Sequence, residues 1–133
     1  DFWARWCRPC INEIPKLKSL NSKCSDRLQI LSLSVDREEV EWREAVAQHN
    51  LSEWPQLIVE RKEDADSYYF PSQADISLAY DVQEIPRFIL IDSNGLIVGR
   101  WSHLTPEVVA EIESIINHNS VLVKHNLDRN SNI

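Results

Sequence analysis

Apolar positions change their period several times along the chain, and each change marks an element. Asp1-Phe2-Trp3-Ala4 is a short apolar stretch that runs straight into Trp6-Cys7-Arg8-Pro9-Cys10. From Cys10 onward the apolar residues fall at Ile11, Ile14, Leu17 and Leu20, close to helical spacing. Pro15 brings no N–H donor and is expected to kink that helix. The polar run Asn21 to Arg27 reads as a loop. Leu28 to Val35 carries Leu, Ile and Val on both parities, the mark of a strand covered on both faces. Asp36 followed by Glu39 has the spacing of a capping box and predicts a helix to about His49.

Gln56 to Val59 is a weaker strand candidate, and Glu60 to Asp75, charged and tyrosine-bearing, reads as a long loop or insertion. Asp75 to Tyr80 suggests a short helix, and Phe88 to Ile91 is a fully apolar strand. Asp92-Ser93-Asn94-Gly95 is a turn whose glycine supplies a positive φ, and Leu96 to Trp101 is the returning strand. Thr105 caps a last helix with Pro106 in its first turn, and Val108, Val109, Ile112, Ile115 and Ile116 form its apolar stripe. Asn126 to Ile133 is polar and expected to fray. Strands alternate with helices, so the expected architecture is a layered α/β domain with parallel central strands and an antiparallel edge hairpin. One domain over residues 1–118 and a tail over 119–133 account for the whole length.

Composition narrows the function classes. The hydrophobic and charged fractions, 43% and 26%, are those of an ordinary globular domain. A net charge of −7 argues against a nucleic-acid partner, which needs clustered Lys and Arg. No apolar run approaches the roughly 20 residues that cross a bilayer. The first residues read as the end of a strand, so further chain upstream, with any targeting segment, is expected.

Two of the three cysteines carry the chemistry. Cys7 and Cys10 stand at a strand-to-helix junction, where unpaired N–H groups and the helix dipole favour a thiolate. Cys7 is therefore the expected nucleophile; Cys10, one turn further in and more buried, lies close enough to close a disulfide with it. Arg8 adds a cation between them. Half of a zinc site is the competing reading, but Cys24 is alone and His49, His103, His118 and His125 show no paired spacing. A purely structural disulfide is another, though so short a loop constrains the unfolded chain little. Cys24, at a helix end, is expected to be inert.

The segment Phe2-Trp3-Ala4-Arg5-Trp6-Cys7-Arg8-Pro9-Cys10 resembles the active-site stretch of the thioredoxin superfamily. Its continuation Ile11-Asn12-Glu13-Ile14-Pro15, making WCxPCxxExP, resembles the branch of exported, often membrane-tethered bacterial reductases typified by TlpA and ResA. Leu33-Ser34-Val35-Asp36, Tyr80-Asp81-Val82 and Ile85 to Asp92 with Asn94-Gly95 extend the likeness to about Asn117. The resemblance implies a thioredoxin-like three-layer α/β/α sandwich lacking its N-terminal strands, so that the central sheet stands open along its middle. It implies a cis Pro86 facing the cysteine pair, with Ile85 presenting backbone groups to a client peptide. Glu13 is implied to influence cysteine protonation and relay protons; a solvent-facing, salt-bridging glutamate is the alternative reading. Trp6 either shapes the docking surface or is simple core.

The implied activity is reduction of client-protein disulfides outside the cytoplasm, as in cytochrome c maturation. The implied partners are disulfide-bearing clients and an upstream thiol electron donor, such as a membrane reductase. No cofactor is implied beyond the Cys7–Cys10 disulfide. Rival readings are a disulfide oxidant or isomerase, and a thioredoxin-shaped binding module without redox turnover. A peroxidase ranks below these, because no resolving cysteine stands outside the pair. Two departures stand out: Arg87 where family members usually carry threonine, and the Glu60–Asp75 insertion, which has no assigned counterpart.

Overall fold

A computed structural model of the chain describes residues 1–60 and 75–130, the side chains of residues 75 and 119–130 excepted. The elements are β1 (Phe2–Trp3), α1 (Arg8–Cys24), β2 (Ser32–Ser34), α2 (Glu39–Gln48), β3 (Gln56–Ile58), α3 (Asp75–Ala79), β4 (Phe88–Ile91), β5 (Ile97–Trp101) and α4 (Pro106–Asn130). The Glu60–Asp75 insertion falls almost wholly outside the described residues.

Helix α1 is one helix through Cys24, and Pro15 does not end it. Pro15 gives no N–H to the Ile11 carbonyl, but Ile14, Leu17, Leu20 and Cys24 line one buried face across the break. That stripe corrects the loop expected from Asn21: Cys24 is its last buried member, so the helix persists as far as burial rewards it. Strand β2 is shorter than the apolar run that announced it, because a ladder exists only where a partner stands. It pairs in parallel with β1 (Phe2 with Leu33) and with β3 (Leu33 with Leu57). Its serines are the more deeply placed side chains: Ser32 and Ser34 are fully buried, while Leu33 packs half-buried against the core. Ser32 Oγ donates to Asp1 Oδ2 at 2.7 Å and accepts from Trp54 Nε1 at 2.8 Å, so the buried hydroxyl has its partners.

Strands β4 and β5 form a second, antiparallel sheet. Gly95 takes φ +81 in the connecting turn, and Asp92 Oδ1 accepts from the Asn94 and Leu96 N–H groups. Among the described residues the two sheets are joined by one antiparallel bridge, between Phe2 and Arg87. Phe2, Leu28–Leu31 and β4 line a cavity of about 560 Å³ whose walls are mainly apolar. The core joins Trp3, Ile14, Leu17, Trp42, Trp54, Phe88, Leu104, Ile112 and Ile116, drawing on α1, α2, α4 and both sheets. Thr105 Oγ1 accepts from Val108 N–H at the start of α4, as the sequence pattern indicates. The helix is assigned through Asn130, beyond the point where fraying was expected.

Gly99 is needed for a packing reason. A Cβ there would overlap the ring of Trp101, two residues along the same face of β5. Gly99→Ala should therefore displace the indole and cost about 1–3 kcal/mol. A urea titration checks this, the midpoint falling with the slope unchanged.

Candidate active site

Cys7 is the N-cap of α1, with extended backbone (φ −89, ψ 95). Its N–H donates to the Ala4 carbonyl at 3.1 Å, closing a turn over Arg5 and Trp6, and its carbonyl accepts from Ile11 N–H. Its Sγ accepts from the Cys10 N–H at 3.2 Å. A sulfur at this position takes the place of a capping oxygen, so an orphan helix donor points at it. The first turn holds no acidic residue to oppose a charge there. Proline stands in that turn, where its missing donor costs nothing. Cys7 and Cys10 are joined by a disulfide, and both are buried to a similar degree. Around them Trp6, Arg8 and Pro9 are exposed, Trp6 at 42%. The reading of Trp6 as simple core is thereby excluded.

The Ile85–Pro86 bond is cis. Phe2 N–H donates to the Arg87 carbonyl at 2.9 Å, and Arg87 N–H donates back at 3.4 Å. This bridge brings the Ile85–Pro86 bond beside the strand end that leads into Cys7. Pro86 is buried and Ile85 half-buried against the core.

Glu13 is not solvent-facing. It is only 4% exposed, one helical turn beyond Cys10. Its Oε2 accepts from the Leu104 N–H at 3.1 Å, and its Oε1 lies 3.3 Å from His103 Nδ1. Lys16 Nζ stands 3.3 Å from Oε2. The carboxylate thus ties α1 to the segment entering α4, and His103, 59% exposed, connects it to solvent. His103 carried no sequence signal, since its partner is ninety positions away.

Asp36 corrects another expectation. It does not cap α2, whose N-cap is Glu38 without a side-chain hydrogen bond. Its Oδ2 instead accepts from Ser34 Oγ at 2.6 Å and from the Arg5 N–H at 3.0 Å, inside the turn before Cys7. Cys24 is free and buried, as its place at a helix end allowed. Among the described residues no group of three or more His, Cys, Asp or Glu side chains is placed to hold a metal ion, and no helix is long and apolar enough to cross a membrane.

Comparison with known proteins agrees with this geometry. A thioredoxin-like family model matches residues 1–97. The thioredoxin-like protein YneN of Bacillus subtilis is 27% identical over 100 residues, 73% of this chain and 51% of the relative. The thiol–disulfide oxidoreductase ResA of Bacillus cereus is 28% identical over 103 residues, 74% of this chain and 50% of that protein. The chain therefore spans about half the length of these curated relatives. Among solved structures, the thioredoxin domain of a thiol–disulfide oxidoreductase from Bacteroides vulgatus superposes with a TM-score of 0.71 at 26% identity, covering 87% of this chain and 76% of that one. A thiol–disulfide oxidoreductase from Bacteroides fragilis shares the fold, with a TM-score of 0.69 at 22% identity over 86% of this chain and 77% of that one. The chain belongs to the thioredoxin-like family, and its homologues are thiol–disulfide oxidoreductases of the TlpA and ResA kind.

Proposed function

We propose that the chain is a protein-disulfide reductase working through Cys7 and Cys10. The observation that carries this reading is the Cys7 sulfur seated as the helix cap, accepting the Cys10 N–H, beneath an exposed rim of Trp6, Arg8 and Pro9. In the dithiol form, the same N–H and the helix dipole stabilise a Cys7 thiolate. The thiolate attacks one sulfur of a client disulfide; the S–S bond breaks, and the leaving client thiolate takes up a proton. Cys10 loses its proton and attacks the Cys7 sulfur. The mixed disulfide breaks, the second client sulfur leaves as a thiolate and takes up a proton, and the Cys7–Cys10 disulfide remains. Two electrons have passed to the client, and an upstream thiol donor returns them.

In this reading Glu13 takes the Cys10 proton, and His103 passes it to solvent. The support is the pairing of a buried carboxylate one turn from Cys10 with a half-exposed imidazole. Trp6, Ile85 and Pro86 receive the client peptide, supported by the exposed indole and by the Phe2–Arg87 bridge that brings the cis bond beside the Cys7 turn. The reaction takes place outside the cytoplasm, with clients of the kind found in cytochrome c maturation; the motif resemblance supports this, and fractionation of the full-length protein checks it.

Insulin reduction tests the activity. Wild type should accelerate precipitation of insulin by dithiothreitol, and Cys7→Ser should lose at least about 100-fold of that acceleration. Equal rates for both proteins, or no acceleration by wild type, would refute the proposal.

A further inference from the structure

We propose that Asp36 is a positioning residue for the cysteine pair: its buried carboxylate holds the Ala4–Cys7 turn by the Arg5 main-chain N–H and so sets how readily the two sulfurs close. The inference rests on the redox reading of Cys7 and Cys10 and assigns it a residue on a different strand end.

Asp36 is 2% exposed, at the end of β2. One oxygen does nearly all its bonding. Oδ2 accepts from Ser34 Oγ at 2.6 Å and from the Arg5 N–H at 3.0 Å. Ser34 Oγ in turn accepts from the Asp36 N–H at 2.9 Å, so the hydroxyl holds the aspartate at both ends. The other oxygen, Oδ1, is buried without a hydrogen-bond partner among the described residues; the Arg5 Nε lies 3.8 Å from it. The Arg5 guanidinium also reaches Glu41 Oε2 on α2. The turn before the nucleophile is thus fastened to β2 through its main chain and to α2 through its side chain.

Asp36 Oδ2 divides its bonding between a hydroxyl of its own strand and a main-chain donor of the turn. What it holds is the residue two before Cys7, inside the turn that the Cys7 N–H closes on Ala4. Disulfide closure depends steeply on how narrowly two sulfurs are confined, because confinement is effective concentration. A freed Arg5 N–H would let the turn, and with it Cys7, explore positions from which Cys10 is out of reach.

The test is the equilibrium in which reduced protein and oxidised glutathione give the Cys7–Cys10 disulfide and two reduced glutathiones, both cysteine protons passing to the glutathione thiols. Asp36→Ala removes the acceptor and the charge, whereas Asp36→Asn removes the charge and keeps an oxygen for Arg5 and Ser34. The equilibrium constant should fall about fivefold in Asp36→Ala and recover to within about twofold of wild type in Asp36→Asn. Arg5→Ala keeps the main-chain N–H and loses the side-chain tie to α2, so it should shift the constant less than Asp36→Ala does. Equal constants for the Ala and Asn variants overturn the proposal, since the effect would then be one of charge or of none. Should Asp36→Ala fail to fold, Ser34→Ala decides: it removes the group holding the carboxylate, and an unshifted constant overturns the proposal. The measurement needs only the two cysteines. A protein that reduces no insulin yet shows the Asp36 effect would refute the functional reading and uphold this one.

Discussion

Cys10→Ser should stall the reaction at the mixed disulfide. Mixed in equal amounts with a disulfide-bearing client and no other thiol, the reduced variant should form a covalent adduct, visible on a non-reducing gel and released by dithiothreitol. Multiple turnover should fall at least about 100-fold. The physical reason is a division of labour. The variant keeps the residue 10 main-chain N–H that the Cys7 sulfur accepts at 3.2 Å, so the nucleophile retains its stabilisation. What it lacks is the only sulfur joined to Cys7 in the structure. Turnover at the wild-type rate by this variant would remove Cys10 from the mechanism.

Glu13→Ala should be among the more destabilising single changes in the chain, by about 2–4 kcal/mol. The lost side chain leaves a cavity beside α1 and strands the Leu104 N–H, which is buried and has the Glu13 carboxylate as its acceptor. The Lys16 contact adds little, because that ammonium is close to half exposed. Glu13→Gln separates structure from proton handling. Its amide oxygen still serves Leu104, so stability should stay within about 1 kcal/mol of wild type. Client reduction should nonetheless fall about tenfold, because no proton site remains one turn from Cys10. Chemical denaturation reads the first effect and insulin reduction the second; an active, stable glutamine variant would make Glu13 a brace and nothing more.

Much of this was legible in the residues, for local reasons. A cysteine before Arg-Pro at a change of period is a helix start, and the structure has Cys7 as its cap. Thr105-Pro106 and Asp92 to Gly95 are equally local, and both turned out as their chemistry requires. Interactions between distant segments were harder to read. Strand lengths depend on the neighbouring strand, so the long apolar run from Leu28 yields a ladder of only Ser32–Ser34. Asp36 illustrates how a local rule can mislead. Aspartate followed by glutamate three positions on satisfies a capping pattern, but a buried donor from Arg5 competes for the carboxylate and wins. The inward-facing serines at 32 and 34 were a usable sign, since buried hydroxyls two apart on a strand imply polar company on that face. Nothing near His103 hinted at Glu13, because the fold alone brings them within 3.3 Å.

Cys24, sealed at the end of α1's apolar stripe, gives the molecule a built-in way of counting electrons. A water-soluble thiol reagent meets no ready target on the native oxidised form; on the unfolded chain it labels one sulfur if Cys7 and Cys10 are still joined and three if they have parted. The stoichiometry of labelling therefore reports the redox state directly, without engineering the third sulfur away.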